Sequence, residues 1–244
     1  MTEEKRIVCF GSGSSEKSRL YYLSNLSRSH FTITWPKDDG AIPAFLRGKT
    51  CQYPTSEHAY QACKTSDLEA AKHMESLGME AFKRWPKGKM QVSIICFWFC
   101  LADGCAQYED CYEKKKAAWN KKAPGIVAKM ISNLKGNLAA EAFGIGFVRK
   151  EHFWRGEDEL WLLWKPILMA KFEQNEEARE VLLSTGSDVL VEFSRFPGVE
   201  RNFWGAYVKR ESGGAVLSIQ GRNMMGRFLM RVRRSLCGVS PQTI

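Results

Sequence analysis

Residues 157–185 read EDELWLLWKPILMAKFEQNEEAREVLLST. Apolar side chains recur there at three- and four-residue steps, which predicts two helices, with Pro166 in a kink or in the first turn of a helix. Upstream, Arg6–Phe10 (RIVCF), closed by GSGSS, reads as a strand and a turn, and Tyr21–Leu26 and Phe31–Trp35 predict strands or extended segments. Downstream, Asp188–Phe193 (DVLVEF) alternates as a strand does, and Met224–Arg233 predicts an amphipathic helix. The G-S-G after the first strand lacks a third glycine and opens no helix pattern, so it is no dinucleotide loop. With no repeat and no proline-rich linker, 1–244 reads as one α+β domain, mainly helical with a small sheet, carrying a helical insertion at about 66–145.

The chain holds 36 Lys+Arg against 27 Asp+Glu, a formal net charge of +9, which favours anionic partners without specifying chemistry. With 44% hydrophobic and 12% aromatic residues it has the material for a folded core. The start, MTEEKR, is charged and lacks the apolar segment of a secretory signal, and the most apolar run, Val92–Ala102, is too short to span a bilayer. The expectation is a soluble intracellular protein, in cytoplasm or nucleus, with its eight cysteines as free thiols. Cys96, Cys100, Cys105 and Cys111 cluster, but without C-x-x-C spacing, and no metal site is expected.

The densest set of chemically capable side chains is Tyr53–Lys64, YPTSEHAYQACK. Pro54 and the hydroxyls of Thr55 and Ser56 mark a helix start, and either hydroxyl can cap it. Glu57, Gln61 and Lys64 then fall at i, i+4 and i+7, so carboxylate, amide and amine share one stripe, with His58 and Tyr60 on either side. A Glu in the first turn and a Lys beyond it suit proton transfer or nucleophilic attack, and a helix N-terminus favours anions. An ordinary capped surface helix would read the same way.

A second set is Phe203-Trp204-Gly205 with Gly221-Arg222-Asn223 and Gly226. Trp204 offers a flat face for stacking, Gly205 allows close approach of a ligand, and Asn223 supplies a donor and an acceptor at a helix start. Arg222, Arg231 and Arg233 can clamp phosphate. A turn-rich hairpin with a core tryptophan and an arginine-bearing helix accounts for the same residues.

Taken in order, Leu23-Ser24-Asn25-Leu26, YPTSEHAYQACK at 53–64, AKFEQNEEAREVLLST at 170–185, FWG at 203–205, GRNMMG at 221–226 and LMRVR at 229–233 resemble the YbiA-like, or NADAR, family, named for its link to NAD and ADP-ribose metabolism. The resemblance covers most of 7–65 and 146–236. It implies an N-glycosidase that cleaves a ribose C1–N bond without a cofactor. Some members act on damaged riboflavin-pathway intermediates, others remove ADP-ribose from guanine in DNA or nucleosides.

On that resemblance Glu57 is the expected acid/base, and Lys64 either a Schiff-base nucleophile or an electrostatic stabiliser. Gln61 would orient ribose hydroxyls, with Ser24 and Asn25 near the same sugar or its phosphate. Thr55, Ser56, His58, Trp204, Gly205, Arg222 and Asn223 complete the expected ligand-binding set, and Trp161 either walls the pocket or packs in the core. Two positions depart from many relatives: Arg201 stands at an acidic place, with Glu200 beside it as the nearest carboxylate, and Ala206 follows W-G. The leading expectation is an ADP-ribosyl glycohydrolase whose partner is ADP-ribosylated guanine. A riboflavin-intermediate N-glycosidase and a non-catalytic ADP-ribose reader are the alternatives.

Overall fold

The computed structural model describes residues 6–11, 18–64, 68, 71–72, 156–195, 197–198, 202–212 and 214–238. Apart from Leu68, Ala71 and Lys72, the stretch read as a helical insertion lies outside the described residues, as do Val92–Ala102, the four clustered cysteines, Glu200 and Arg201.

The fold is α+β, with four α-helices and three two-stranded β pairs among the described residues. Helix α1 is Ser56–Ala62, α2 Glu157–Gln174, α3 Glu176–Ser184 and α4 Met224–Leu236. Strand β1, Ile7–Phe10, lies parallel to β4, Val189–Glu192, with Ile7 opposite Val189. Strands β2, Phe31–Thr34, and β3, Thr50–Tyr53, run antiparallel, as do β5, Tyr207–Arg210, and β6, Val216–Gln220. A bridge from Phe193 to Ala206 links the end of β4 to the start of β5. The small sheet expected from sequence is thus divided into three two-stranded pairs, two of them joined through the Phe193–Ala206 bridge.

Among the described residues helix α2 is central, packing against α1, α3, α4 and β2. Its buried residues, Leu160, Leu163, Trp164, Ile167, Leu168, Ala170, Lys171 and Phe172, reach more than one face, as a helix enclosed by several neighbours requires. Pro166 lies inside α2 rather than at its start. It removes the donor for the Leu162 carbonyl, but Leu162 is exposed, so that carbonyl is on the side open to water. The break between α2 and α3 falls at Asn175, whose backbone is extended and whose Nδ2 donates to Lys171 O and His30 O at 2.8 and 3.0 Å. The side chain adds a second donor to Lys171 O, which also accepts from Asn175 N at 3.2 Å, and ties the helix end to His30.

Tyr21–Leu26 is no strand. Arg19–Leu23 forms a 3-10 helix, followed by a serine-rich turn in which Leu26 N donates to Ser24 Oγ at 3.2 Å and Ser27 Oγ donates to Ser24 O at 2.8 Å. Serine side chains next to their own backbone compete with strand pairing, and here they prevail. The main core gathers Trp35, Tyr53, Trp164, Phe172, Phe228 and Phe10, each about fully buried. No described helix is long and apolar enough to cross a membrane.

Candidate active site

The Thr55–Lys64 segment folds as its sequence predicts at the front and differently at the back. Thr55 is the N-cap of α1, its Oγ1 accepting from His58 N at 3.3 Å and lying 2.9 Å from His58 Nδ1. Glu57 N donates to Asn25 O at 3.1 Å, which fastens α1 to the serine-rich turn. These first-turn donors are used within the chain, so they offer no anion seat of their own. The helix ends at Ala62, and Lys64 N donates to Gln61 O at 3.0 Å, extending the stripe by one tighter turn.

The whole segment from Pro54 to Lys64 is buried, which an ordinary surface helix is not. Glu57 and Lys64 are each 7% exposed. Gln61 Nε2 donates to Glu57 Oε1. Buried and without a hydrogen-bond partner among the described residues are Asn25 Oδ1, Gln61 Oε1, Ser56 Oγ and His58 Nε2. Natural interiors rarely leave such atoms unpaired, and a functional site is one of the accepted reasons. Burial, aided by His30, lowers the His58 pKa to about 3, so its imidazole is neutral and tied to Thr55. Burial pushes the Cys63 thiol well above its ordinary value, with Cys51 adding to the shift, so Cys63 stays protonated and is no nucleophile.

Next to this stripe stands an aromatic cluster. Lys64 Nζ lies 4.2 Å from the Tyr60 ring centroid. Tyr60 stacks on Trp164 at 4.6 Å and meets Trp204 edge-on at 5.5 Å, and Trp204 contacts Trp164 at 5.7 Å and Phe203 at 5.0 Å. The exposed Arg222 guanidinium sits 4.9 Å over Phe203. Trp204 therefore joins the α1 stripe through Tyr60. Trp161 does not: it packs on Phe228 at 5.4 Å under Arg231, away from these rings. Trp164, three residues on, takes the place beside Tyr60. Its apolar surroundings on the periodic helix gave no sign of that choice, because Trp161 and Trp164 fit the helical pattern equally well.

The glycine-rich set has another use. A Cβ on Gly205 would lie 2.4 Å from Glu192 O, one on Gly226 2.2 Å from Leu190 O, and one on Gly221 2.5 Å from Gly205 O. These glycines let backbone approach backbone. Asn223, in the left-handed conformation at φ 49°, donates from Nδ2 to Leu190 O at 2.8 Å and accepts at Oδ1 from Glu192 N at 3.0 Å. Its amide substitutes for a strand neighbour of β4. Arg233 is likewise spent, donating to Thr185 Oγ1 at 2.6 Å and Asp188 O at 2.9 Å. Arg231 approaches Glu157 at 3.6 Å. Of the three arginines offered for phosphate, Arg222 alone has a guanidinium neither paired with a carboxylate nor hydrogen-bonded to backbone among the described residues.

No group of three or more His, Cys, Asp or Glu side chains gathers as a metal site among the described residues. A family model described as the NADAR domain matches residues 108–237. The match takes in α2, α3, α4 and the Trp204–Gly226 region, and begins after α1. No curated protein matches the sequence. Among solved structures, an NMR structure of the E. coli protein YbiA is 19% identical with a TM-score of 0.45, the alignment covering 100% of this chain and 92% of that one.

Proposed function

The chain belongs to the NADAR family, and from that premise we propose that it is an N-glycosidase that cleaves a ribose C1–N bond and releases ADP-ribose from guanine, in a nucleoside or in DNA. Family membership supports N-glycosidase-type activity in general. The observation that carries the reading to particular residues is the burial of Glu57 and Lys64 beside acceptors, Asn25 Oδ1 and Gln61 Oε1, that have no partner among the described residues. A site rich in buried acceptors suits a ligand rich in hydroxyl donors, as a ribose is.

Hydrolysis delivers a hydroxyl to C1 and a proton to the leaving nitrogen. In the direct route Glu57 takes a proton from the attacking water, and the same proton serves the departing amine. In the covalent route the ribose ring opens, Lys64 Nζ adds to C1, the amine departs, and water hydrolyses the resulting imine to free the sugar and the lysine. Gln61, held to Glu57, orients the carboxylate. Trp204, which is only partly buried, supplies a flat face for the base or sugar.

A second reading has an observation of its own. Arg231 and Arg233 are engaged inside the chain, which leaves fewer cations for a diphosphate. A ribosylamino-pyrimidine with one phosphate or none needs fewer. The purified protein is offered guanosine-linked ADP-ribose, a ribosylamino-pyrimidine and free ADP-ribose. Release of ADP-ribose from the first, lost in Glu57→Gln and Lys64→Ala, supports the proposal. Turnover of the pyrimidine alone transfers it to the second reading, and binding without turnover of either overturns both. Borohydride trapping of a sugar adduct that requires Lys64 selects the covalent route.

A further inference from the structure

Lys171 is a fully buried lysine on α2, outside every role given above. Its Nζ donates to Ser24 O at 2.8 Å and to Ser27 Oγ at 2.9 Å, and lies 5.0 Å from the Phe172 ring centroid. It forms no ion pair among the described residues. Burial lowers its pKa to about 7, so the group is held at an energetic cost that an apolar side chain of the same length would avoid.

What that cost maintains is the turn at residues 24–27. This turn has no strand partner. Its fixed points include its own serine bonds, the Ser29 and Tyr22 contacts of Ser27, the Glu57 N–H on Asn25 O, and the Lys171 amine reaching across from α2. The same turn presents Asn25, whose carbonyl receives Glu57 N–H at 3.1 Å and whose Oδ1 is buried without a described partner. The linkage is continuous: α2, Lys171, the turn, Asn25, Glu57.

We propose that Lys171 is a positioning residue, pinning the Ser24–Ser27 turn to α2 so that Asn25 and Glu57 face one ligand in fixed register. A site held this way is set from a central helix as well as from its own loop. The activity arm of the test rests on the proposed function; the exchange arm does not.

Lys171→Met, close to the same length and without donors, is compared with the unaltered full chain by amide hydrogen exchange and by turnover of guanosine-linked ADP-ribose. The expected result is exchange of the Glu57 amide faster by about tenfold or more, with amides in the middle of α4 unchanged. Turnover falls about 10- to 100-fold in kcat, with KM moving less than about threefold. Ser27→Ala, which leaves Ser24 O in place, lies between the two. Unchanged Glu57 exchange in folded Lys171→Met overturns the proposal, as does a kcat loss that only tracks the unfolded fraction seen by circular dichroism. Should Lys171→Met not fold, Ser27→Ala and Lys171→Gln carry the test on the same readouts. Should the unaltered chain turn over no substrate, Glu57 exchange alone decides.

Discussion

Two regions of this protein use similar residue types in opposite ways. In the Thr55–Lys64 segment and the adjoining turn, polar atoms are buried and several have no described partner: Asn25 Oδ1, Gln61 Oε1, Ser56 Oγ. In the Trp204–Gly226 region the Asn223 amide is spent on the β4 backbone, and glycines serve close backbone packing. The first region holds hydrogen-bonding capacity in reserve. The second has used its own to join α4, β4 and β5. A motif rich in Gly and Asn is therefore no sign of a ligand site until its amides are traced to their partners.

The comparison breaks first at Glu57 and Lys64. Glu57→Gln and Lys64→Ala are expected to lower kcat for guanosine-linked ADP-ribose by about 10²–10⁴-fold, the range for lost acid–base or nucleophilic groups. Circular dichroism should show the fold retained. A variant within a few-fold of full activity would remove that residue from the chemistry.

In the other region the damage should be to stability. Gly226→Ala forces a Cβ against Leu190 O, and a cost of about 3 kcal/mol or more is expected in urea unfolding, as for other severe core overpacking. Asn223→Ala removes two hydrogen bonds and strands Leu190 O and Glu192 N, an expected cost of about 2–3 kcal/mol. If either variant kept its stability and lost ligand binding instead, the contrast between the regions would be reversed.

A pH series sharpens the contrast. His58 binds its proton only below about pH 3 when folded but near 6.5 when unfolded. The unfolded chain holds more protons in that window, so stability falls as pH drops from 6.5 toward 3, by on the order of a few kcal/mol. His58→Asn should flatten that slope in thermal unfolding. Lys171, with its pKa near 7 when folded against 10.5 when unfolded, acts in a higher window. There stability rises as pH climbs from 7 toward 10.5, and Lys171→Met should remove the rise. The smallest effect is expected at Arg222, exposed over Phe203. Arg222→Ala should change stability by less than about 0.5 kcal/mol, while weakening ADP-ribose several-fold in a binding titration.

Much of the frame was legible in the chain order. The β1 and β4 strands, the two helices of 157–185, the Thr55 cap and α4 all follow from local periodicity and capping chemistry. The serine-rich turn escaped because its side chains bond their own backbone, a local competition that apolar spacing does not record. The aromatic partner of Tyr60 escaped for another reason: Trp161 and Trp164 are three apart on one helix, and only the placement of α1 and Trp204 beside α2 selects Trp164.

The sequence by itself determined the helix and strand propensities, the Glu57–Gln61–Lys64 spacing and the family to which the chain belongs, because each is written in residues near one another or in their order. Tertiary structure alone decided burial and hydrogen-bond partnership. It gave the Asn223 amide and the Arg233 guanidinium partners within the chain, drew Trp204 to the α1 stripe, and set Lys171 beneath the turn that carries Ser24 and Asn25. The physical reason is that a polar group's role depends on which atoms reach it once water has been excluded, and residues 147 positions apart meet only in the folded chain.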